Sequence, residues 1–164
     1  MSQSAKLSLA IAVSLGLASG ISSAKADGLF KKVVQLLDGT GAGKASKSFF
    51  ASRTISASGT DALDLAGVLT DALGQALTFT KIKMIAIQAK STNAGEITLG
   101  GGTAACNSMF GANTDKIKIK PDGLFVIAAP DANGFAVTAS TADTLNIVNT
   151  VASTVAYDIV IIGE

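Results

Sequence analysis

The spacing of apolar residues changes near residue 48. Before that point, the uncharged stretch LSLAIAVSLGLASGISSA (7–24) and the segment LFKKVVQLL (29–37) both contain apolar residues at helical spacing. From Phe49 onward, apolar and polar residues alternate with period two, which is typical of strands. We therefore predict an N-terminal helical attachment segment at 1–38 and a β domain at 49–164, joined by a Gly/Ser/Ala-rich linker at 39–48.

The β domain is predicted to contain seven to nine short strands. They cover residues 48–58, 61–66, 76–90, 96–100, 116–120, 123–129, 134–138, 143–149 and 154–162. This length and spacing indicate a mainly β fold, an antiparallel β-sandwich or jelly roll. The predicted core consists of Ile55, Leu77, Ile85, Ile87, Ile97, Leu99, Ile117, Ile119, Phe125, Ile127, Val137, Ile147, Val155, Ile159 and Ile161.

Three interpretations of the N-terminal segment stay open. It has features of a secretory signal, with an apolar stretch followed by Ala24-Lys25-Ala26 and a cut before Asp27. As a membrane-spanning helix, its uncharged stretch would be about 27 Å long, which is marginal for a bilayer. The interpretation that we favour is a retained helix that packs against copies of itself or against a partner. Its predicted assembly interface consists of Leu7, Ile11, Leu15, Leu29, Phe30, Val33, Val34 and Leu37.

The charge of the chain is uneven. Residues 1–60 contain seven basic and two acidic side chains, whereas residues 61–164 contain six and ten. A basic half can meet nucleic acid, an anionic membrane or an acidic protein surface. Because its charges are dispersed and lack interleaved aromatic residues, we predict no specific nucleic-acid partner and favour an acidic protein or a membrane surface.

The residues needed for common catalytic chemistry are scarce. The chain has no histidine and one cysteine, Cys106, which excludes Ser-His and Cys-His nucleophile pairs, an intramolecular disulfide and a cysteine metal cage. The loop DGTGAGKAS is not a phosphate loop, because Asp38 stands where glycine is required and Ala45 where a hydroxyl is required. We therefore predict a protein that is not an enzyme and has no cofactor or metal.

Five lysines lie on predicted strands and form the second candidate site: Lys81, Lys83, Lys116, Lys118 and Lys120. They could face a polyanion such as a sulfated glycan or DNA. Lysines of this kind more often keep the edge of a sheet solvated and block pairing with another sheet, and we favour that role.

Four stretches carry a family resemblance: LDLAGVLTDALGQALTFTKIK (63–83), ITLGGG (97–102), IKIKPDGLFVIAAPDANGFAVTA (117–139) and YDIVIIG (157–163). Over residues 53–163 the chain resembles small β-rich structural proteins of tailed phages and prophages. The resemblance implies a capsid-decorating or fibre-like virion protein and brings no active-site residues. It also suggests three-fold symmetry and a second virion partner such as the major capsid protein. The homo-oligomer itself is predicted from the apolar segment 7–21, which cannot remain exposed to water, and we expect it to be joined through the N-terminal helix and one face of the sheet. The alternative is a secreted bacterial surface or filament protein whose signal peptide is cut before Asp27.

Overall fold

The computed structural model describes residues 3–19, 22–67 and 69–164, and this part of the chain is mainly β. The strands are β1 Ala5–Ser19, β2 Ser22–Asp38, β3 Lys44–Ala45, β4 Lys47–Ile55, β5 Thr60–Asp64, β6 Leu69–Thr70, β7 Ala76–Leu77, β8 Lys81–Ala89, β9 Ile97–Gly100, β10 Lys116–Ile119, β11 Leu124–Ala128, β12 Phe135–Ala136, β13 Thr144–Asn149 and β14 Val155–Gly163. A single 3-10 turn, Asn107–Met109, is the one helical element of the described residues. Residues 1, 2, 20, 21 and 68, which fall within predicted segments, lie outside the described part.

Two antiparallel sheets form a sandwich-like body, which confirms the predicted mainly β class. One sheet has the strand order β10-β9-β13-β5. The other has the order β11-β8-β14-β4, with β12 also paired to β8. Strands that follow one another along the chain mostly lie in opposite sheets, so each sheet is assembled from distant segments. A separate two-stranded sheet joins β6 and β7.

The core lies between the two sheets and follows from period-two alternation. In β14, for example, Val155, Tyr157, Ile159 and Ile161 are buried in the core, and the residues between them point to the other face. Fourteen of the fifteen predicted core residues belong to this core or pack against it. The prediction for Ile117 is wrong: its side chain is 37% exposed, whereas Ile119 on the same edge strand is buried.

The predicted N-terminal helix is also wrong. Strands β1 and β2 pair antiparallel from Ala5 opposite Leu36 to Ser19 opposite Ser22. The physical reason lies in the sequence, where Leu7, Leu9, Ile11, Val13, Leu15 and Leu17 occupy every second position. That alternation gives a strand one continuous apolar face, whereas on a helix it would spread the same residues over several faces. Within the described ranges, no helix is long and apolar enough to cross a membrane.

The predicted linker at 39–48 contains structure of its own. Strand β3 pairs in parallel with the end of β2, and β4 begins at Lys47. Between β2 and β3 the chain turns through Gly39, Gly41 and Gly43, all with positive φ, a conformation in which glycine has no Cβ to clash. This turn brings the N-terminal hairpin back against the body.

Candidate assembly surface

We call the hairpin of β1 and β2, residues 5–38, the arm. None of the residues 9–16 or 25–33 is buried, so the arm leaves the body shortly after its base. At roughly 3.4 Å per residue, a strand of this length spans about 50 Å. An isolated two-stranded hairpin is only marginally stable in water. The arm is therefore the part of the described structure with the least support from the body.

The two faces of the arm differ in chemistry. Residues directly opposite each other in the hairpin share a face, so the register assigns each residue to one side. One face, which we call the apolar face, carries Leu7, Leu9, Ile11, Val13, Leu15, Phe30, Val34 and Leu36. Lys32, opposite Leu9, is the one charged residue of this face. The other face carries Lys6, Ser8, Ser14, Lys25, Asp27 and Lys31 beside Leu29, Val33 and Leu37.

The eight predicted interface residues all lie on the arm but do not form one surface. Five are on the apolar face, namely Leu7, Ile11, Leu15, Phe30 and Val34, and three are on the other, namely Leu29, Val33 and Leu37. Six of them are exposed, with Leu15 67% and Leu29 70% accessible. Leu9 and Val13 were missed because they do not fall on the same helical face as Ile11. The period-two alternation of the sequence is the signal that identifies them.

The base of the apolar face is buried on the body. Val34 and Leu36 form a cluster with Ala45, Met84 and Ile162, and Leu7 packs against it. Met84 and Ile162 directly adjoin the core residues Ile85 and Ile161 along β8 and β14, so they lie on the outer face of the five-stranded sheet. The arm is thus attached by a small second core outside the sandwich.

A buried ion pair lies beside this second core. The Lys83 side chain is 0% exposed, and its Nζ is 3.1 Å from Oε1 of Glu164. Nζ also donates to the main-chain oxygen of Asp131 at 2.5 Å. The main-chain N–H of Gly41 donates to Glu164 Oε1 at 2.8 Å. The last bond ties the loop that follows the arm directly to the ion pair.

The environment of Glu164 favours its charged form. Burial raises the pKa of this carboxyl, but the N–H of Gly41 and the ammonium of Lys83 outweigh burial, so the pKa is lowered. A further bond, from the Gly43 N–H to the Pro130 oxygen at 2.7 Å, holds the same loop. At neutral pH Glu164 is therefore charged, and the bond from the Gly41 N–H to its carboxylate fixes where the arm leaves the body.

The five candidate lysines lie on two different sheets. Lys81 and Lys83 are on β8, and Lys81 is 3.6 Å from Glu164 Oε2. Lys116 and Lys118 are on β10, at the edge of the other sheet, and Lys120 follows that strand. Lys118 and Lys120 each lie 2.5 Å from a carboxylate oxygen of Glu96. Their hydrogen bonds lower the pKa of Glu96.

The five lysines differ in their surroundings. One of the five side chains is buried, and three of the others are paired with glutamates. Neither the polyanion role nor the favoured edge role is tested by these contacts, and both stay predictions.

A second polar network joins the two sheets. Asp61 on β5 accepts hydrogen bonds from Arg53 Nε and Nη2 at 2.5 and 2.8 Å, and from the Tyr157 hydroxyl at 2.8 Å. Partial burial raises the pKa of Asp61, but the bonds from Arg53 and Tyr157 outweigh it and the pKa is lowered. Among the described residues, no buried side-chain nitrogen or oxygen lacks a hydrogen-bond partner, and the geometry of this network is that of a structural cross-link.

Cys106 is buried, and burial raises the pKa of its thiol. A raised pKa keeps the thiol protonated and unreactive.

In the described ranges of the chain, no three His, Cys, Asp or Glu side chains are grouped so that they could hold a metal ion. A groove of about 480 Å³ lies beside the arm base, lined in part by Gln3, Asp38, Lys47, Phe50 and Leu73.

Comparison with known proteins adds no family assignment. No family model matches the chain, and no curated protein matches it.

Proposed function

We propose that this chain is a structural protein of a virion, a capsid-decorating or fibre-like protein attached through its arm. The observation that carries the proposal is the arm itself, a long amphipathic hairpin whose base is buried on the body while most of its apolar face is exposed. Exposed apolar surface of this extent marks an interaction site. The proposed role is assembly, with no catalytic step and no cofactor.

We propose further that the body is a jelly roll. The strand orders β4-β14-β8-β11 and β5-β13-β9-β10 support this, since they place eight strands in two four-stranded layers. Successive strands mostly cross from one layer to the other, as in two interlocked Greek keys. The short strands β6, β7 and β12 are additions to this plan.

The proposed partners are other copies of the chain, as a trimer, and a second virion protein such as the major capsid protein. The arm carries four lysines and two aspartates, a net charge of +2, which suits an acidic partner surface. We propose no specific nucleic-acid partner. The resemblance of residues 53–163 to phage structural proteins supports the virion as the location.

The alternative, a secreted surface or filament protein cut before Asp27, fits the arm less well. The cut would remove the whole of β1 and the first five residues of β2. It would take away Leu7, which packs on Val34 and Leu36 at the arm base. The remaining part of β2 would lose β1 and keep only the short strand β3 as a partner. The geometry therefore supports retention.

The test is a mass-spectrometric inventory of phage particles purified by density gradient from an induced culture, together with intact-mass analysis. We expect the chain to be present in the particles and to begin at Met1 or Ser2. The cell-free medium, depleted of particles, is the matched control. A chain that begins at Asp27, found in that medium and absent from particles, would support secretion and overturn the proposal.

A further inference from the structure

The outer face of the five-stranded sheet has one covered row and one open row. The covered row runs across Ile162, Met84 and Ala128, which are partners in the strand register and lie under the arm base. The next row on the same face consists of Phe50, Val160, Ala86 and Val126, on β4, β14, β8 and β11. We call this second row the sheet strip. Phe50 is 59% exposed and Val160 37%.

The arm presents a matching surface that is also open. Beyond its base, the apolar face continues through Leu9, Ile11, Val13, Leu15 and Phe30, all exposed. We call these five residues the distal apolar face. They are aliphatic or aromatic, as are the members of the sheet strip.

The two surfaces are extensions of one interface that the chain already makes. The basal residues Leu7, Val34 and Leu36 pack on the row next to the sheet strip. The distal apolar face continues the same side of the same strands, and the sheet strip continues the same side of the same sheet. Within one molecule both surfaces remain exposed, because the arm leaves the sheet after its base.

Charge also favours contact between an arm and the body of another copy. The arm has a net charge of +2, whereas residues 49–164 contain seven basic and ten acidic side chains, a net charge of −3. Opposite net charges favour the encounter of an arm with a body over that of two arms.

We propose that the arm of one copy of this chain packs its distal apolar face on the sheet strip of a second copy. The proposal deepens the proposed assembly function, on which it rests, by naming the partner and both surfaces. Each copy offers one arm and one strip, so reciprocal exchange gives a closed dimer and successive exchange gives a ring such as a trimer.

Four single variants of the full chain test the contact by light scattering at micromolar concentration. Ile11→Asp alters the arm and Phe50→Asp alters the strip, and both positions are exposed in one molecule. Each change should raise the dissociation constant at least about 100-fold, because central apolar contacts dominate an interface. The controls are Ala10→Asp, which lies opposite Lys31 on the other face of the arm, and Thr54→Asp, which is exposed on β4 outside the strip. Both controls should stay oligomeric.

Mixing the Ile11→Asp and Phe50→Asp chains distinguishes two modes of association: an arm packed on a sheet strip, and an arm packed on another arm. The Ile11→Asp chain keeps its strip and the Phe50→Asp chain keeps its arm, so an equimolar mixture should form a complex although each chain alone is a monomer. Thermal melting of each variant checks the fold. If Phe50→Asp melts abnormally, Phe50→Ser replaces it, since that change removes the ring without adding a charge.

Three results would overturn the proposal. The first is a full-length chain that is monomeric in solution. A monomeric chain that co-floats with anionic phosphatidylglycerol vesicles counts as this result, since its arm would then bind a membrane. The second is a Phe50→Asp chain that stays oligomeric, and the third is a mixture that does not associate. None of these results changes whether the chain is found in particles, so failure here is distinguishable from failure of the proposed function.

Discussion

Lys83 and Glu164 form an ion pair beneath the arm base, with Nζ and Oε1 3.1 Å apart and the two side chains 0% and 7% exposed. Buried charges are costly to desolvate, so such a pair is retained only where further hydrogen bonds complete it. Here the Asp131 oxygen and the Gly41 N–H do so. The pair therefore connects β8, the end of β14 and the loop that follows the arm.

Replacing Lys83 should be strongly destabilising. Lys83→Met leaves the Glu164 carboxylate buried without its closest cation, and we expect the free energy of unfolding to fall by about 3–5 kcal/mol. Lys81→Met is the matched control, since Lys81 is 3.6 Å from the same carboxylate but 38% exposed. Its loss should stay below about 1 kcal/mol. Urea unfolding of both variants measures the difference, and equal losses would contradict the assigned role of the buried pair.

The same pair should make stability depend on pH in the acid range. The pKa of Glu164 lies below its usual value of 4.5 in the folded chain. The folded state therefore binds fewer protons than the unfolded state near this pH. The resulting stability is fully present above the unfolded pKa and is lost as pH falls through the folded pKa. Glu164→Gln lacks this contribution.

The gap in unfolding free energy between wild type and Glu164→Gln should therefore be largest at neutral pH and narrow below about pH 4.5. Urea unfolding at a series of pH values measures it. Glu96→Gln is the comparison, because the pKa of Glu96 is also lowered but by the exposed side chains of Lys118 and Lys120, so its gap should be smaller at neutral pH and narrow over the same range. A gap for Glu164→Gln that stays constant down to pH 3 would show that the carboxylate does not stabilise the fold.

Gly163 should not tolerate a side chain. A Cβ at this position would lie 2.2 Å from the main-chain oxygen of Lys81 and 2.9 Å from Cδ1 of Phe79. The main chain at Lys81 cannot move away from this Cβ as easily as a flexible side chain could. Gly163→Ala should therefore lower the free energy of unfolding by about 1–3 kcal/mol. Gly28→Ala on the arm is the control, since a Cβ added at Gly28 would have no atom within 4 Å apart from its chain neighbours. Its effect should stay within about 0.5 kcal/mol, and a Gly163→Ala chain as stable as wild type would be inconsistent with the close approach.

Most of the body could be predicted because its strands bury one face and expose the other. The pattern that places Ile85 and Ile87 in the core is local and is visible in the sequence. The predicted strand 76–90 is divided into β7 and β8 because the N–H groups of Thr80 and Lys81 donate to the main-chain oxygen of Glu164. These two bonds join segments far apart in the sequence, and no local pattern indicates them.

The sequence contains the signal for the arm, but its apolar residues fit two spacings at once, one typical of a helix and one typical of a strand. Leu7, Ile11 and Leu15 are spaced by four, as on one helix face, but Leu9 and Val13 lie between them and complete a period of two. The absence of charge and the abundance of Ala and Leu favoured the helix.

The ion pair of Lys83 and Glu164 could not be predicted at all, since only the pairing of β8 with β14 brings these residues together.

The hydroxyl of Tyr157 should contribute to stability separately from its ring. The side chain is fully buried, and the hydroxyl donates to Oδ2 of Asp61 at 2.8 Å. Tyr157→Phe keeps the ring in the core and removes one donor from a charged acceptor, so we expect a loss of about 1.5–3 kcal/mol. Asp61→Ala should cost more, because it leaves both the hydroxyl and Arg53 without their partner. Urea unfolding decides the order, and an unchanged Tyr157→Phe chain would contradict the contribution of this bond.

Tyr157 should also resist ionisation in the folded chain. Burial raises its pKa far above the usual value of 10.0, and the neighbouring Asp61 carboxylate raises it further because a phenolate would lie against a negative charge. Tyr157 is the only tyrosine of the sequence, so the ultraviolet absorbance of phenolate reports this one group. In an alkaline titration we expect no phenolate near pH 10 and a cooperative rise only when the chain unfolds, at the pH where circular dichroism also changes. Free tyrosine amide in the same buffer supplies the reference curve. A gradual rise centred near pH 10, with the circular dichroism unchanged, would mean that solvent reaches the hydroxyl and that its bond to Asp61 is not maintained.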